Sequence, residues 1–324
     1  MDEILYFGKN EFPKLFVNEP YQITRPIKFN FPNLNLIENE NENEIKRIKQ
    51  ISANQTTTIF LFQNGKAIKY TENDSNQNPE KIQIENIEKV TLGSDNEAVL
   101  TSKGKVFAKG KYINRKNPNE FIKISSLIED PNDRIIEDVV SGAESIFLLT
   151  SNQNVYGIGL NSHAQFGFED PKTAKKPIFM MSNITRVFTN TFSYSVFLLD
   201  SNEELFSCGN NLFGQLGLIE SRNEPTSIIN FTQIKNLPKG KIIDIQMGNL
   251  HSLMLIEDED ENQNPKTKLY SCGFNEFNGL GRYQVTYKFT EIKSPLFEND
   301  NIREFFEMEI EKSNLFQFKL NFLN

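Results

Sequence analysis

The fold is decided by residues 187–218, which read VFTNTFSYSVFLLDSNEELFSCGNNLFGQLGL. An apolar run at 196–199 is followed by four polar residues at 200–203 and by a second run at 204–208. Two runs of strand length joined by a short polar turn predict a β-hairpin. Glycines at 209, 214 and 217 then predict a sharp exit loop, because glycine adopts positive φ without a Cβ clash.

The same unit recurs along the chain. The runs at 146–149 and 155–159 lead into an exit loop at 159–167, and those at 253–256 and 269–272 lead into 273–281. Weaker copies occupy 59–70 and 98–110. Such self-similarity predicts a repeat architecture. The glycines at its structural positions are Gly8, Gly159, Gly167, Gly209, Gly214, Gly217, Gly273 and Gly281.

The two chain ends suggest how the repeats are arranged. Residues 5–12 resemble a second strand and its exit, while 305–310 and 314–320 read as strands with no exit loop. A blade completed by both termini closes a ring and removes exposed sheet edges. We therefore predict an all-β fold, one closed β-propeller over residues 1–324, with six recognisable blades and seven possible. The predicted blades are 302–324 plus 1–36, then about 46–88, 89–137, 138–185, 186–243 and 244–301.

Composition narrows the class of partner. The chain has 324 residues, of which 38% are hydrophobic and 24% are charged, with a formal net charge of -8. Duplex binding needs clustered Lys and Arg, so this acidic balance argues against direct nucleic-acid binding. The start of the chain lacks a secretion-signal pattern, and no apolar run approaches ~18 residues. We expect a monomeric cytoplasmic or nuclear protein that makes no membrane contact.

Residues 257–268 form a polar stretch in place of a four-residue hairpin turn. The stretch predicts an extended hairpin. It is either a tolerated surface insertion or a finger that contacts a partner, because loops carry both sequence variation and function. We favour the tolerated insertion.

Two segments carry a family resemblance that extends over nearly the whole chain. Residues 209–217, preceded by an apolar strand, and the Gly-x-x-His at 248–251 resemble the regulator of chromosome condensation repeat. The chain departs from that family in two ways. It has Phe7, Ile158, Cys208 or Cys272 where the family has Trp before the exit glycine, and six blades can be placed where the family usually has seven.

The resemblance implies a propeller that binds other proteins. The founding member exchanges nucleotide on the small GTPase Ran, and it uses acidic and His residues on the loops that follow the glycine of the inner strand. The matching loops here are 93–96, 142–145, 190–193 and 248–251. The resemblance therefore gives Asp95, Glu144 and His251 as candidate partner-binding residues, although at His251 we favour a structural role.

The sequence offers little for covalent chemistry. Cys208 and Cys272 occupy the same place in successive repeats, which favours a core role over a disulfide or metal site. Two His, at 163 and 251, are too few for a His-based metal cluster. Neither a phosphate-binding glycine loop nor a serine-nucleophile elbow occurs. We predict no catalytic residues, no metal and no cofactor.

The sequence thus predicts a non-enzymatic, protein-binding propeller, most specifically an exchange factor or regulator of a Ran-like small GTPase. One alternative is a partner subunit of a small zinc-binding protein in diphthamide or transfer-RNA modification. A second is a propeller enzyme with its site at the mouth of the central channel, which other propellers support. The sequence assembles no residue set for that site.

Overall fold

The computed structural model describes residues 5–9, 22–28, 48–71, 79–218, 226–259, 265–274 and 285–292, with only the backbone described in the first two ranges. Regular structure in these ranges consists of strands and two 3₁₀ turns, Ser125–Leu127 and Pro131–Asp133. The described chain is therefore all-β, which confirms the predicted fold class. Neither helical turn is long and apolar enough to cross a membrane.

The strands form one two-stranded sheet and five four-stranded antiparallel sheets, which we number I to V in chain order. In every four-stranded sheet the spatial order follows the chain order. β1 (Leu5–Lys9) pairs with β2 (Gln22–Lys28). Sheet I contains β3 (Ile48–Ala53), β4 (Thr57–Phe62), β5 (Ala67–Thr71) and β6 (Glu80–Lys81). Sheet II contains β7 (Ile87–Leu92), β8 (Asn96–Thr101), β9 (Val106–Gly110) and β10 (Ile122–Lys123).

The remaining three sheets contain the strongest repeats. Sheet III contains β11 (Ile136–Ser141), β12 (Ser145–Thr150), β13 (Val155–Leu160) and β14 (Thr173–Met181). Sheet IV contains β15 (Ile184–Phe188), β16 (Ser195–Asp200), β17 (Leu205–Asn210) and β18 (Ser227–Gln233). Sheet V contains β19 (Lys241–Met247), β20 (His251–Glu259), β21 (Pro265–Gly273) and β22 (Thr286–Glu291).

The chain divides between Val90 and Thr91 into two compact units. The described part of the first unit holds the β1–β2 pair, sheet I and the first four residues of β7. The described part of the second unit holds the remainder of sheet II and sheets III to V.

In the second unit, alternating side chains of one strand serve two different cores. In β12, Ile146 and Leu148 join a cluster shared with sheet II, while Phe147 and Leu149 join one shared with sheet IV. This alternation follows from the two-residue period of a strand. Because both faces of β12 are buried, the strand reads in the sequence as a continuous apolar run.

The exit loops of sheets III and IV each bind the sheet that follows. The buried thiols of Cys208 and Cys272 donate hydrogen bonds to the carbonyl oxygens of Gln165 and Gln215, each at 3.3 Å. Each acceptor lies in the exit loop of the preceding sheet. Both cysteines are buried and unbridged. The two thiols thus stand at equivalent points in two successive junctions.

Hairpin β20–β21 carries the polar stretch. Its pairing runs without a break from His251 opposite Gly273 to Glu259 opposite Pro265. The corresponding hairpin of sheet IV ends at Leu199 opposite Leu205. The insertion therefore lengthens the hairpin as predicted. An ion pair between Lys268 Nζ and Asp258 Oδ2, 2.8 Å long, joins the two added strand segments.

The predicted completion of one blade by both termini involves 305–310 and 314–320, which lie outside the described residues. The blade count, the closure of the ring and the single-domain boundaries stay predictions.

Candidate functional site

In sheets II, III and V, the first residue of β8, β12 and β20 lies opposite the exit glycine of the same sheet. Asn96 lies opposite Gly110, Ser145 opposite Gly159, and His251 opposite Gly273. This register places Asp95, Glu144 and Leu250, the residues just before these strand starts, at one equivalent position. We call it the pre-strand position.

The backbone explains why glycine lies opposite the residue that follows the pre-strand position. Leu160 N donates to Glu144 O at 2.9 Å, and Phe274 N donates to Leu250 O at 2.9 Å. The same carbonyl oxygens lie directly over the exit glycines, where a Cβ would stand only 2.5 Å from them. Gly159 and Gly273 also have φ of +107° and +104°. The exit glycine thus allows the pre-strand backbone to close onto the hairpin.

Sheet IV corrects the sequence alignment at this position. The loop was predicted at 190–193, but Ser195 pairs with Gly209, and Asn210 N donates to Tyr194 O at 3.0 Å. The equivalent loop is therefore 192–195, two residues later, and Tyr194 is the pre-strand residue. The sequence alignment was wrong here because Phe192 occupies the position at which the other loops have glycine.

Sheet I shows a smaller difference. The weaker copy predicted at 59–70 ends at Tyr70, but Thr57 pairs with Thr71, one residue later. Asn54 N also donates to Thr57 O, just as Gly93 N donates to Asn96 O. Thr71 therefore stands where the other sheets have their exit glycine.

Two pre-strand side chains from successive sheets are joined directly. The hydroxyl of Tyr194 donates a hydrogen bond of 2.9 Å to Glu144 Oε2. Burial raises the pKa of Tyr194 to about 12, with help from this hydrogen bond and from the negative charge of Glu144. Tyr194 therefore stays protonated and keeps donating to the carboxylate at neutral pH.

His163, from the exit loop of sheet III, completes one side of this pair. Its ring centroid lies 4.6 Å from that of Tyr194, and its Nδ1 lies 2.9 Å from Ser162 Oγ. Burial lowers the pKa of His163, which favours the neutral imidazole. His163 is half-buried against Tyr194.

Asp95 and Tyr112, both from sheet II, act on Tyr194 through their charges. Their contributions to the raised pKa of Tyr194 come after those of its burial and of Glu144. Asp95 is exposed, and the ring of Tyr112 has Lys111 Nζ 5.1 Å from its centroid. We call Asp95, Tyr112, Glu144, His163 and Tyr194 the acid–aromatic cluster.

Of the three predicted site residues, Asp95 and Glu144 share the pre-strand position, and His251 does not. His251 begins β20, one residue later, and its carbonyl oxygen accepts from Gly248 N at 2.8 Å. Its ring covers Gly248, where an added Cβ would lie 2.7 Å from Nε2. Burial lowers the pKa of His251. These contacts fit the structural role favoured from the sequence.

The sequence reasoning missed Tyr112, His163 and Tyr194. One signal was available for Tyr194, since it precedes Ser195 just as Glu144 precedes Ser145. For the other two there was no such signal, because they reach the cluster from exit loops. In the part of the chain that the structure describes, no three His, Cys, Asp or Glu side chains are grouped so as to hold a metal ion.

The cluster offers groups that recognise cations. Carboxylates form strong charge-assisted hydrogen bonds with ammonium and guanidinium groups. Aromatic faces attract the same cations through the ring quadrupole. The Glu144 carboxylate beside the Tyr194 ring therefore suits a Lys or Arg side chain of a protein partner, and Asp95 adds negative charge from sheet II.

Comparison with known proteins identifies the repeat. Residues 202–255 match the family model of the regulator of chromosome condensation (RCC1) repeat. The segment begins within the hairpin turn of sheet IV, includes the exit loop of that sheet and runs into β20. The match confirms the resemblance seen in the sequence. No curated protein matches the chain.

Solved structures of RCC1-type proteins share the fold. Yeast RCC1 (Prp20), solved with Kap60 bound to it, superposes with a TM-score of 0.68 at 19% identity, over 91% of this chain and 71% of that one. Prp20p from Saccharomyces cerevisiae, studied with its binding to Gsp1p and histones, gives 0.66 at 18% identity, over 90% and 72%. Human WBSCR16 gives 0.67 at 15% identity, over 89% and 76%.

Proposed function

We propose that this RCC1-repeat chain binds a Ran-like small GTPase through the acid–aromatic cluster and promotes nucleotide release. The hydrogen bond between Tyr194 and Glu144 carries the proposal, because it joins equivalent positions of two repeats into one surface. The RCC1-type fold supports it, as does the binding of Prp20p to Gsp1p. We place this surface on a single closed propeller, as predicted from the sequence.

Nucleotide release needs no covalent step from this chain. An exchange factor that binds the nucleotide-free GTPase more tightly than the loaded form lowers nucleotide affinity by the same factor. In P-loop GTPases a lysine and backbone amides hold the phosphates. Asp95 and Glu144 would offer that cationic region an alternative anionic partner.

Tyr194 has a positioning role in this scheme. Its hydroxyl holds the Glu144 carboxylate in place, while its ring provides rigid contact area at low entropic cost. His251 lies outside the cluster, and we assign it to the support of its own loop.

The test is release of a fluorescent guanine nucleotide, mant-GDP, from a Ran-type GTPase, followed by stopped-flow fluorescence in excess GDP. The wild-type chain should accelerate release. The double charge reversal Asp95→Lys with Glu144→Lys should reduce that acceleration by at least about tenfold, since each lost charge pair is worth about 1 kcal/mol or more.

Glu129→Lys with Glu137→Lys makes the matched control, because both residues are exposed and the change in net charge is identical. The control should retain wild-type acceleration. Equal losses of acceleration in the two double variants would show that the effect comes from the change in net charge and not from the cluster. Full activity after reversal of Asp95 and Glu144 would exclude the cluster, and no acceleration by the wild-type chain would exclude exchange on this GTPase.

A further inference from the structure

A cavity of about 290 Å³ lies between sheets IV and V. Its walls come from the end of one exit loop, from the end of β18 with the chain that follows it, and from β22. Leu218, Leu237 and Phe289 line it and are only partly buried against the core. Lys235 and Lys288 also line it, and no acidic side chain does so in the described part of the chain.

The junction of sheets III and IV provides an internal comparison. Gly167 and Gly217 each lie eight residues after an exit glycine, so Phe168 corresponds to Leu218. In the earlier junction the Phe168 ring packs on Phe166, with centroids 6.3 Å apart. In the later junction both positions are leucine, namely 216 and 218. Two smaller side chains therefore leave more space beside the later loop.

The two lysines are also particular to the later junction. Asn183 and Asn236 both have positive φ, 64° and 62°, just after the last strand of their sheets. Lys235 therefore occupies the position equivalent to Ser182.

The second lysine follows from the strand that faces each exit loop. A Cβ on Gly167 would meet the Phe231 ring at 2.5 Å, and one on Gly217 would meet the Phe289 ring at 2.8 Å. The residues before these two rings, Asn230 and Lys288, therefore correspond. Relative to its neighbour, the later junction has gained space and positive charge together.

The size of the cavity restricts its occupant. A volume of about 290 Å³ equals the share of roughly ten liquid waters. It lies at the lower limit of small-molecule pockets, which span roughly 300–1,000 Å³. One large apolar side chain fits such a space, as an anchor residue of a bound peptide does. The lysines favour carboxylates next to that anchor.

We propose that this cavity is a docking site for an acidic peptide segment of a partner protein, which inserts one aromatic or large aliphatic side chain. The apolar walls hold the anchor, and Lys235 and Lys288 bind the flanking carboxylates. The site uses none of the residues of the acid–aromatic cluster. It therefore stands or fails independently of nucleotide exchange.

The probe is a fluorescein-labelled pentapeptide with a central phenylalanine and two aspartates on each side, measured by fluorescence anisotropy. We expect saturable binding with a Kd of about 100 μM or tighter in low salt. Replacing the central phenylalanine with alanine should weaken binding at least about tenfold. Raising the salt to ~1 M should weaken it further, because screening acts on exposed charges.

Two variants and one control locate the binding. Leu218→Phe restores the residue of the preceding junction and should fill the cavity, and Lys235→Glu with Lys288→Glu reverses its charge. Each should weaken binding at least about tenfold. Lys175→Glu with Lys176→Glu changes two exposed lysines of β14 and should leave affinity unchanged. Thermal unfolding establishes that each variant is folded.

The possible results divide cleanly. No saturation at ~1 mM peptide, or unchanged affinity in a folded Leu218→Phe variant, overturns the proposal. Equal weakening by the β14 control shows non-specific attraction and also overturns it. If Leu218→Phe does not fold, the charge reversal at Lys235 and Lys288 takes its place as the test. Unchanged peptide affinity in that variant also overturns the proposal.

Discussion

Tyr194 and Glu144 occupy the same register position in successive sheets, and the hydroxyl of Tyr194 donates to Glu144 Oε2 at 2.9 Å. A carboxylate on a loop is ordinarily a solvated charge. Here it accepts a hydrogen bond from the next repeat, beside a ring that His163 contacts. The contact thus orients a charge that would otherwise be free to move.

This contact predicts a change in the titration of Tyr194. Glu144→Gln removes a negative charge and should lower the Tyr194 pKa from about 12 towards 10. The pKa should stay above 10, because burial is the largest cause of the shift and remains. Tyrosine-selective ¹³C NMR between about pH 9 and pH 13 measures it, with Tyr194→Phe assigning the signal. An unchanged pKa in Glu144→Gln would show that the two groups do not interact in solution.

The environment of Asp133 predicts that the folded protein loses stability in acid. Burial alone would raise the pKa of Asp133, but hydrogen bonds from Tyr156, Asn152, Asn154 and Thr150 lower it overall. The shortest of these is 2.6 Å, from Tyr156 Oη to Oδ2. A lowered folded-state pKa gives stability that is present above the unfolded value of ~3.9 and is lost as the pH falls through the folded value.

Asp133→Asn should therefore lower the free energy of unfolding at pH 7 by about 1–3 kcal/mol, as expected for a disrupted buried network. It should also flatten the loss of stability between about pH 4 and pH 2. Urea unfolding at several pH values measures both effects. Glu137→Gln, at an exposed position of β11, is the control and should change neither. Parallel pH profiles for Asp133→Asn and wild type would contradict the assignment.

The fold was predictable where the sequence pattern has a single physical meaning. Apolar runs such as 196–199 are strands buried on both faces, and the turn at 200–203 is too short for any connection but a hairpin. The register of sheet IV was missed because Phe192 replaces the glycine that marks the loop elsewhere, although the serine that follows Tyr194, as one follows Glu144, was a usable signal. The structure recovers the register from the pairing of Ser195 with Gly209.

The candidate site was predictable only in part. Asp95 and Glu144 follow from counting back from the strand start, which is a local relationship. His163 and Tyr112 come from exit loops, and the approach of the His163 ring to Tyr194 depends on how successive sheets pack. Linear spacing does not encode that approach, so a sequence pattern cannot supply it.

The buried cysteines predict slow thiol chemistry. Cys208 and Cys272 are 0% exposed, and burial raises the pKa of the Cys208 thiol. Because the thiolate is the reactive form, neither residue should react with Ellman's reagent under native conditions within minutes. Both should react at once in ~6 M guanidinium chloride, which unfolds even stable domains. Fast native reaction of either thiol would show that a junction between sheets opens readily.

The exit glycine of β17 predicts that alanine destabilises the protein much more at position 209 than at position 207 of the same strand. Gly209 has φ of +103°, and an added Cβ would clash with the carbonyl of Tyr194 and lie 3.0 Å from Ser195 Cα. Gly209→Ala should therefore lower the free energy of unfolding by about 2–4 kcal/mol, from backbone strain and a clash that side-chain rotation cannot relieve. Urea unfolding measures the change.

Ser207→Ala is the matched control on the same strand. Ser207 is 0% exposed, and its hydroxyl has no hydrogen-bond partner in the described part of the chain, so its removal should cost under about 1 kcal/mol. Thr71 shows that the exit position accepts a side chain when its φ is not positive. If Gly209→Ala is as stable as Ser207→Ala, the loop can relax to the conformation of Thr71. The close approach of the Tyr194 carbonyl would then not be the reason for glycine at position 209.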